Sequence, residues 1–449
     1  MASVAREQWS SRAGFLMASI GFAVGLGNIW RFPYITGENG GAAFVVVYLV
    51  CAFAIGVPIL IAEVMIGRRG GMSPPGSMRT VALAEGQSRQ WQWAGGMNLL
   101  AAFLIQVVYC VIAGWVLLYL FKALTTGFAG IDGPGAEAEF AGVLADIPGL
   151  VFWTFLGLAI TGTIVYAGVR SGIERAVRVL MPTLFGLLVA LAAYNIFAGG
   201  FGQAIRYLFA PDFSKVNGPM ILAAVGQAFF SIGVAMAGMM TFGAYLPKKV
   251  SIAGSALVIV SADTLVALVA GLVIFPVVFN FGLDPAGGTG LIFKTLPVAF
   301  AQMTGGHLVS VLFFLLLSVA AITSMVGLVE AITAWMKEHR GFARHKSAVA
   351  VLSGIGLLSL VSVLSYNVLS HVRLFGDDLH AAFDYVPNQI MLPLGGLLIA
   401  IFAGWFVSRA SAREELAMRS DALFDAWRFL VRYLASAAVL VIFLFGISG

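Results

Sequence analysis

The chain has 449 residues, of which 60% are apolar and only 10% are charged, and its net charge is +5. A soluble domain of this length needs far more polar surface, so this composition excludes an ordinary soluble protein and is typical of a membrane protein. The two cysteines, Cys51 and Cys110, lie within apolar stretches and indicate no disulfide framework. No removable signal peptide is expected, because no small-residue cleavage site follows a short apolar core near the N-terminus.

Eleven stretches are long and apolar enough to cross a membrane as helices. We number them spans 1 to 11 and predict them at about 13–36, 42–66, 93–123, 149–168, 176–198, 220–245, 252–282, 303–336, 347–370, 387–408 and 428–447. The longest loops are too short to bury a core of their own, so a single transmembrane domain is predicted over residues 1–449. The segment Gly290–Gly306 is expected to form a helical re-entrant or capping loop.

The distribution of lysine and arginine predicts the orientation, because these residues concentrate in loops that remain in the cytoplasm. A cytoplasmic N-terminus places all but six of the 26 basic residues on the cytoplasmic side; the six are Arg31, Lys122, Arg206, Lys215, Lys294 and Arg373. With eleven spans the C-terminus is then outside. The positive charge is explained by this asymmetry, and no nucleic-acid motif is present, so no nucleic-acid partner is expected.

Two spans contain clusters of small residues that favour a break in the helix. Span 1 has Gly21, Gly25 and Gly27, and span 6 has Gly233 and Gly238. Unwound backbone at membrane depth is tolerated only where it lines a cavity enclosed by protein. The two breaks lie five spans apart, which is the relation expected of inverted repeats with a binding site between them. The alternative is that these glycines only allow close approach of neighbouring helices.

Three carboxylates fall within predicted spans, where a charge is costly and by default marks a functional or tightly paired residue. Asp263 lies well inside span 7, whereas Glu63 and Glu330 lie nearer the predicted cytoplasmic ends of spans 2 and 8. A helix-packing role for Asp263, or a structural role for the two glutamates, remains an alternative.

Several motifs together strongly resemble the neurotransmitter:sodium symporter family. They are AVGLGNIWRFP at 23–33, ENGG at 38–41, GIER at 172–175, MPTL at 181–184, PDF at 211–213, VGQAFFS at 225–231 and TS at 323–324. The resemblance implies an all-α integral membrane protein of about 11 transmembrane helices with helices 1 and 6 broken. It also implies two inverted five-helix repeats, at about 13–198 and 220–408, and an extra helix at about 428–447. A twelfth span found in many members is missing.

The same resemblance implies two sodium ions, which as hard cations prefer oxygen ligands. One ion would be held by the carbonyls of Ala23 and Ser231, the Ser231 hydroxyl, Asn28, Asp263 and the substrate carboxylate. The other would use the carbonyls of Gly21, Val24 and Ala320 and the hydroxyls of Thr323 and Ser324. Helix periodicity places Ala320, Thr323 and Ser324 on one face of span 8.

The resemblance further implies a bound amino acid between the two breaks. The predicted substrate-binding residues are Ala23, Val24, Leu26, Gly27, Ile105, Tyr109, Phe230, Ser231, Gly233, Met236, Met239, Ser324 and Leu328. Relatives that transport monoamines have an aspartate at the position of Gly25, so glycine there favours a substrate with its own carboxylate. The apolar lining, with its flexible methionines, favours apolar side chains.

Two gates are also implied by the resemblance. Arg31 and Asp384, with Gln227 nearby, would close the outer side, and Arg6 and Glu338, packed by Trp9 and Tyr245, would close the inner side. The hypothesis is therefore a sodium-coupled symporter of neutral hydrophobic L-amino acids, independent of chloride, in the inner (plasma) membrane of the cell. An ion channel is the alternative, although no continuous polar stripe is found. An enzyme is not expected, because no metal-binding or nucleophile motif is present.

Overall fold

The computed structural model describes residues 7–285 and 290–448 and is almost entirely helical. Within these residues, nine helices are long and apolar enough to cross a membrane, and they correspond to predicted spans 2 to 5 and 7 to 11. They are Ala42–Gly70, Arg89–Thr125, Ile147–Tyr166, Val169–Ala198, Ile252–Asn280, Gly306–Arg340, Arg344–Leu364, Leu379–Phe406 and Asp421–Gly446. The chain is thus a multi-pass membrane protein.

Span 1 is broken, as predicted. It consists of two helical segments, Arg12–Ala23 and Gly27–Glu38, which are bent by 49° relative to each other. Val24, Gly25 and Leu26 connect them, and Val24 already has an extended backbone with a ψ of 97°. Counted as one span, this pair brings the number of membrane-crossing helices in the described part of the chain to ten.

Predicted span 6 corresponds to two short helices, Gly218–Ile232 and Gly238–Ala244. Between them the backbone enters the left-handed region three times, at Gly233 with φ of 72° and at Ala235 and Ala237 with φ of 62°. Left-handed residues cannot continue a right-handed helix, and outside glycine they are uncommon. The second expected break is therefore present, and it includes two alanines that surrounding contacts must hold in place.

Shorter elements connect the spans. Helices Pro74–Ala84, Gly133–Ala145, Phe201–Phe209 and Arg409–Leu416 lie in loops, and a small antiparallel hairpin pairs Arg373–Leu374 with Asp377–Asp378. The segment predicted to form a helical loop contains a π-helical turn, Leu291–Thr295, and a helix, Leu296–Gln302, both largely buried.

Burial distinguishes central from peripheral spans. In the most apolar stretch of span 8, 83% is buried inside the protein, whereas the corresponding shares for spans 5 and 11 are 28% and 17%. Apolar side chains that are not covered by protein suit contact with lipid. Span 8 is thus central, and Arg12–Ala23 of span 1 and Gly238–Ala244 of span 6 both contact it. The candidate site lies between these segments.

Candidate substrate and sodium site

The break in span 1 is stabilised by side chains that replace the lost helical hydrogen bonds. The amide of Gly25 donates to Asn28 Oδ1 at 3.1 Å, and the amide of Leu26 donates to the hydroxyl of Tyr109 at 3.0 Å. Because unwound backbone needs such partners at membrane depth, these contacts explain how the chain can leave the helix here.

A buried polar cluster joins spans 1, 6 and 7. Asn28 Nδ2 donates to Ser231 Oγ at 2.8 Å and to Asp263 Oδ1 at 2.7 Å, and Ser231 Oγ donates to Asp263 Oδ2 at 2.6 Å. The hydroxyl of Tyr48 lies 3.4 Å from Ser231 Oγ. All four side chains are buried. The structure thus brings together three residues predicted for the first sodium site. Ser231 and Asp263 supply oxygens of the kind that a hard cation prefers, whereas Asn28 turns its Nδ2 donor towards them and its Oδ1 towards the Gly25 amide.

Residues predicted for the second sodium site meet where span 8 packs against the first half of span 1. Ser324 Oγ donates to the carbonyl of Phe22 at 3.1 Å. A Cβ added at Gly21 would lie 3.4 Å from Thr323 Cβ, so the two segments touch here. Thr323 Oγ1 bonds to the carbonyls of Val319 and Ala320, each at 3.0 Å.

No group of three or more His, Cys, Asp or Glu side chains suited to a metal ion occurs in the described residues. The oxygens at the two predicted ion sites come instead from one carboxylate, several hydroxyls and backbone carbonyls. Such a donor set fits sodium rather than zinc or iron.

Glu63 stabilises the break in span 6 from span 2. Its Oε1 accepts from the amide of Ala235 at 2.7 Å, and the side chain is fully buried. This contact explains the left-handed backbone of Ala235, because the carboxylate accepts a hydrogen bond from an amide that has no helical partner in the unwound segment. Glu63 therefore has at least a structural role.

A small central pocket of about 30 Å³ lies between the two breaks. It is lined by Phe22, Ala23, Gly25, Gly27, Ile105, Tyr109, Phe230, Gly233, Met236, Ser324 and Leu328. Most predicted substrate-binding residues thus meet here. Val24, Ser231 and Met239 are fully buried but do not line the pocket. A space of this size holds only about two water molecules, so an amino acid needs a wider pocket than this one.

A much larger cavity, the vestibule, adjoins the central pocket and has a volume of about 490 Å³. The two share Gly27, Ile105, Tyr109 and Phe230 in their walls, and Leu26 also lines the vestibule. Exposed residues in its wall, including Asp384, connect it to the surface. The central pocket therefore communicates with this face of the protein, with Phe230 between the two spaces.

The predicted gate beside the vestibule is not closed in this structure. Arg31 forms no ion pair with Asp384; its guanidinium lies 4.5 Å above the ring of Phe230. Asp384 instead accepts from Asn388 Nδ2 at 2.7 Å, and Gln227 Nε2 donates to the carbonyl of Gly27 at 3.0 Å. Arg31 and Asp384 both line the vestibule, so the role of this pair in closing it stays a prediction.

The opposite end of the site is sealed by the N-terminal segment. Trp9 is buried; its Nε1 donates to the carbonyl of Phe242 at 2.9 Å, and its amide donates to the carbonyl of Tyr245 at 3.1 Å. Arg6 lies outside the described residues. Glu338, its predicted partner, accepts from the amide of Ser73 at 2.7 Å. The Arg6–Glu338 gate therefore stays a prediction as well.

A network of charged residues that sequence reasoning did not assemble closes this same end. Glu7 pairs with Lys337 at 3.0 Å and with Arg344 at 2.7 Å, and Arg344 also pairs with the fully buried Glu330. The hydroxyl of Tyr245 donates to Glu330 at 2.9 Å. Burial raises the pKa of Glu7, but Arg344 and Lys337 outweigh it and hold that pKa below its ordinary value. Glu7 is thus ionised at neutral pH and ties the N-terminal segment to spans 8 and 9.

Phe22 is a pocket residue that the sequence analysis missed. Cβ atoms added at Gly233, Gly238 or Gly327 would each come within 3 Å of its ring, so these glycines form a cradle for it. Its ring also lines the central pocket. Glycines from spans 6 and 8 around one aromatic ring leave no local sequence signal, because they are distant in the chain.

Comparison with known proteins identifies the family. The model of the sodium:neurotransmitter symporter family matches residues 6–131 and 143–448. An uncharacterized sodium-dependent transporter of Bacillus subtilis is 34% identical over 443 residues, covering 97% of both chains. Another from Haemophilus influenzae is 33% identical over 449 residues, covering 98% of both.

A solved structure is similar throughout its length. The crystal structure of MhsT in complex with L-phenylalanine matches with a TM-score of 0.90 and 41% sequence identity, covering 98% of this chain and 99% of that one. The predicted family and fold class are confirmed. The broken spans, their buried oxygen cluster and these similarities agree, and this chain belongs to the sodium:neurotransmitter symporter family.

Proposed function

We propose that this protein takes up neutral hydrophobic L-amino acids by alternating access, with two sodium ions per substrate and without chloride. The observation that carries the proposal is the buried contact of Asn28, Ser231 and Asp263 next to a pocket that is lined mainly by apolar residues, with the hydroxyls of Tyr109 and Ser324 on one side. A small-molecule substrate, sodium coupling and a lipid environment follow from the family itself. The choice of substrate, the ion count and the independence of chloride are the proposed part.

The backbone around Gly25 favours a substrate carboxylate. A Cβ at this position would lie 2.7 Å from the Tyr109 hydroxyl and closer still to Ser324 Oγ. Without a Cβ here, a space remains that suits a negative group. It is surrounded by the unwound segment of span 1, by the two hydroxyls and by the N-terminal end of the helix that begins at Gly27. The substrate carboxylate would lie there and complete the first sodium site.

The remaining walls favour an apolar side chain. Ile105, Phe230, Met236 and Leu328 contribute carbon and sulfur surface, and methionine adapts readily to side chains of different shape. MhsT was crystallised with L-phenylalanine. Because the central pocket is smaller than such a ligand, binding would require Phe230 or Met236 to move.

Asp263 supports independence of chloride. Two sodium ions beside a zwitterion leave excess positive charge in a site of low dielectric constant, where it is costly. A fully buried carboxylate that already contacts Asn28 and Ser231 supplies the compensating charge covalently. An external anion is then unnecessary.

The orientation remains as proposed from the basic residues, with the N-terminus cytoplasmic and the protein in the inner membrane of the cell. The vestibule then faces outside and the Trp9 end faces the cytoplasm. The division into inverted repeats at about 13–198 and 220–408 also stays a proposal. An ion channel is not favoured, because the part of the chain that the structure describes has a narrow central pocket and a sealed Trp9 end rather than a continuous pathway.

The test is uptake by purified protein in proteoliposomes, with a panel of labelled amino acids, in sodium or potassium and in chloride or gluconate. We expect uptake of apolar amino acids in sodium with either anion. Equal uptake in potassium would contradict sodium coupling, and dependence on chloride would contradict the role of Asp263.

The Asp263→Asn variant sharpens this test. The asparagine amide replaces one acceptor oxygen with an NH2 donor, which would face another donor at Asn28 Nδ2 or Ser231 Oγ. The substitution also removes the compensating negative charge. Hydrogen bonds to charged groups contribute about 1.5–3 kcal/mol, so sodium affinity should fall roughly tenfold to a hundredfold, and added chloride should restore part of the uptake. The control is Ser261→Ala, on the exposed face of the same helix. An Asp263→Asn protein that behaves like the wild type would refute the assignment.

A further inference from the structure

Two arginines lie inside span 11 and form no ion pair with any carboxylate among the residues that the structure describes. Predicted from hydropathy to start near 428, this helix begins at Asp421, so Arg428 and Arg432 lie about two and three turns into it. Crossing about 30 Å of hydrocarbon takes roughly 20 residues at about 1.5 Å each. Counted back from Gly446, that length reaches the position of Arg428, which places Arg432 about one turn below the hydrocarbon edge.

The surrounding carboxylates are already engaged. Asp425 pairs with Arg409, Asp421 with Arg413, Glu85 with Arg69 and Glu415 with Arg68. Within the described residues, neither Arg428 nor Arg432 has a carboxylate oxygen within 4.0 Å, and Arg409 and Arg432 both lie close enough to Arg428 to repel it. Asp425 and Glu85 attract Arg428 from farther away. This corner of the protein therefore carries two arginines whose positive charges the protein compensates only in part.

Contacts hold both guanidinium groups in position. Arg428 Nη2 donates to the carbonyl of Val407 at 3.0 Å, and its Nη1 is buried with no acceptor among the described residues. The guanidinium of Arg432 lies 4.4 Å above the ring of Trp405, and its Nε is likewise buried without an acceptor there, so an outside ligand reaches only the other nitrogens of each group. Both side chains are half-buried, so part of each remains accessible from outside the protein. Fixed guanidinium groups suit the planar, two-pronged binding of a phosphate.

Aromatic residues surround the pair at the same depth. Trp405, Phe429 and Tyr433 are 49%, 61% and 48% exposed, and the rings of Trp405 and Tyr433 lie 5.5 Å apart. Exposed rings of this kind are typical of the level of lipid headgroups. An anion that reaches Arg432 at this depth must therefore come attached to acyl chains, because the neighbouring surface is apolar.

We propose that Arg428 and Arg432, with Trp405, form a binding site for the phosphate of an anionic phospholipid between the ends of spans 10 and 11. The phosphodiester would lie against the accessible edges of both guanidinium groups, and the acyl chains would lie along the exposed rings. A bound lipid would compensate the two charges and hold span 11 against span 10.

The experiment is titration of the detergent-solubilised protein with phosphatidylglycerol, with binding followed by native mass spectrometry. The variant is R428Q/R432Q, and the control is R419Q, which removes one exposed charge from the preceding loop. A basic residue at an anionic leaflet contributes about 1 kcal/mol, so each lost arginine should weaken binding about fivefold and the pair about 25-fold. The control should bind like the wild type.

Other results would overturn the proposal. Equal weakening in R419Q would mean diffuse attraction, equal binding of phosphatidylcholine would mean that the acyl chains suffice, and displacement of the lipid by inorganic phosphate would mean a site for free anions. If R428Q/R432Q does not fold, R432Q alone keeps the contact of Arg428 with Val407 and should show the fivefold loss. R432Q with wild-type lipid affinity would contradict the site.

Discussion

The two ends of the pathway differ: the vestibule end is open and the Trp9 end is sealed, and their charged residues make different contacts. At the vestibule, Arg31 stacks on Phe230 while Asp384 bonds to Asn388, so the two opposite charges remain apart across an open cavity of about 490 Å³. At the Trp9 end, Glu7, Arg344 and Glu330 form a continuous network. A charged side chain that is buried away from water is stable only when it is paired with an opposite charge. The sealed end therefore depends on its ion pairs, and the open end does not.

In the orientation proposed above, this is an outward-facing state. Ions and substrate would enter through the vestibule, and the inner network must break before they are released. A stable inner network and a loose outer pair imply that substitutions at the two ends differ in effect by several kcal/mol. That difference is the quantity to test.

The largest effect is expected for Arg344→Gln. This change leaves Glu330, which is fully buried, with only the Tyr245 hydroxyl as a partner. Breaking a buried pair in this way typically costs about 3–5 kcal/mol, and the cost falls on the inward-closed state. The variant should be mainly inward-open, as measured by reactivity of cysteines introduced along the cytoplasmic pathway.

Lys346→Gln is the matched control, because Lys346 is exposed two residues further along the same helix. The double variant Arg344→Gln/Glu330→Gln removes the stranded charge and should recover much of the closed state. Cysteine reactivity that is unchanged in Arg344→Gln would show that the network does not hold the inner end closed.

A smaller effect is expected for Gly25→Ala, at the central pocket between the two ends of the pathway. The added methyl group would collide with Tyr109 and Ser324 in the space proposed for the substrate carboxylate. Overpacking costs about 1–3 kcal/mol, so substrate affinity should fall roughly fivefold to 150-fold in equilibrium binding with labelled L-phenylalanine. Gly226→Ala is the control, since nothing lies within 4 Å of the Cβ it would add. Equal affinities in the two variants would place the carboxylate elsewhere.

At the outer end, Arg31→Gln should have a still smaller effect on the state described here. It removes one cation–π contact, with an energy of about 0.5–1 kcal/mol at exposed sites. Sodium-dependent substrate binding should therefore weaken by no more than about fivefold, whereas turnover should slow further if closure of the vestibule needs the pair with Asp384. Substrate binding that weakens far more than fivefold in Arg31→Gln would contradict the asymmetry between the ends.

The smallest effect concerns Glu7 and pH. Its pKa is depressed in the folded protein, so its contribution is fully present above the ordinary value of 4.5 and is lost only as pH falls through the lower, folded value. The Glu7→Gln variant, which mimics protonation, should loosen the inner end by about 0.2–1 kcal/mol. Wild-type protein at pH 5 should not resemble that variant at pH 7 in cysteine reactivity.

Sequence reasoning located the centre of the molecule better than its ends. The glycine clusters predicted both breaks, because unwound backbone at membrane depth must line an enclosed cavity. The family resemblance assigned Asn28, Ser231 and Asp263 to one site, and a carboxylate well inside a span is a rare and informative signal. Span 10, in contrast, begins at Leu379 rather than near 387. Its first turns carry His380 and Asp384, which face the vestibule, and a hydropathy window reads such residues as a loop.

The inner network could not be read from sequence for a different reason. Glu7 and Arg344 are 337 residues apart in the chain. The family resemblance implied a different pair at this end, Arg6 and Glu338. Ion pairs between distant segments depend on helix register and side-chain rotamers, which no local pattern records. The cradle of glycines around Phe22 belongs to the same class.

Coupling stoichiometry tests the central claim most directly. Proteoliposomes with imposed sodium gradients at zero membrane potential would be allowed to reach equilibrium, and the accumulation of labelled L-phenylalanine would be plotted against the sodium ratio on logarithmic axes. A tenfold gradient contributes about 1.4 kcal/mol per ion, so two ions predict a slope of two and about hundredfold accumulation. A slope of one would refute the second sodium ion, and a slope of zero would contradict coupled transport altogether.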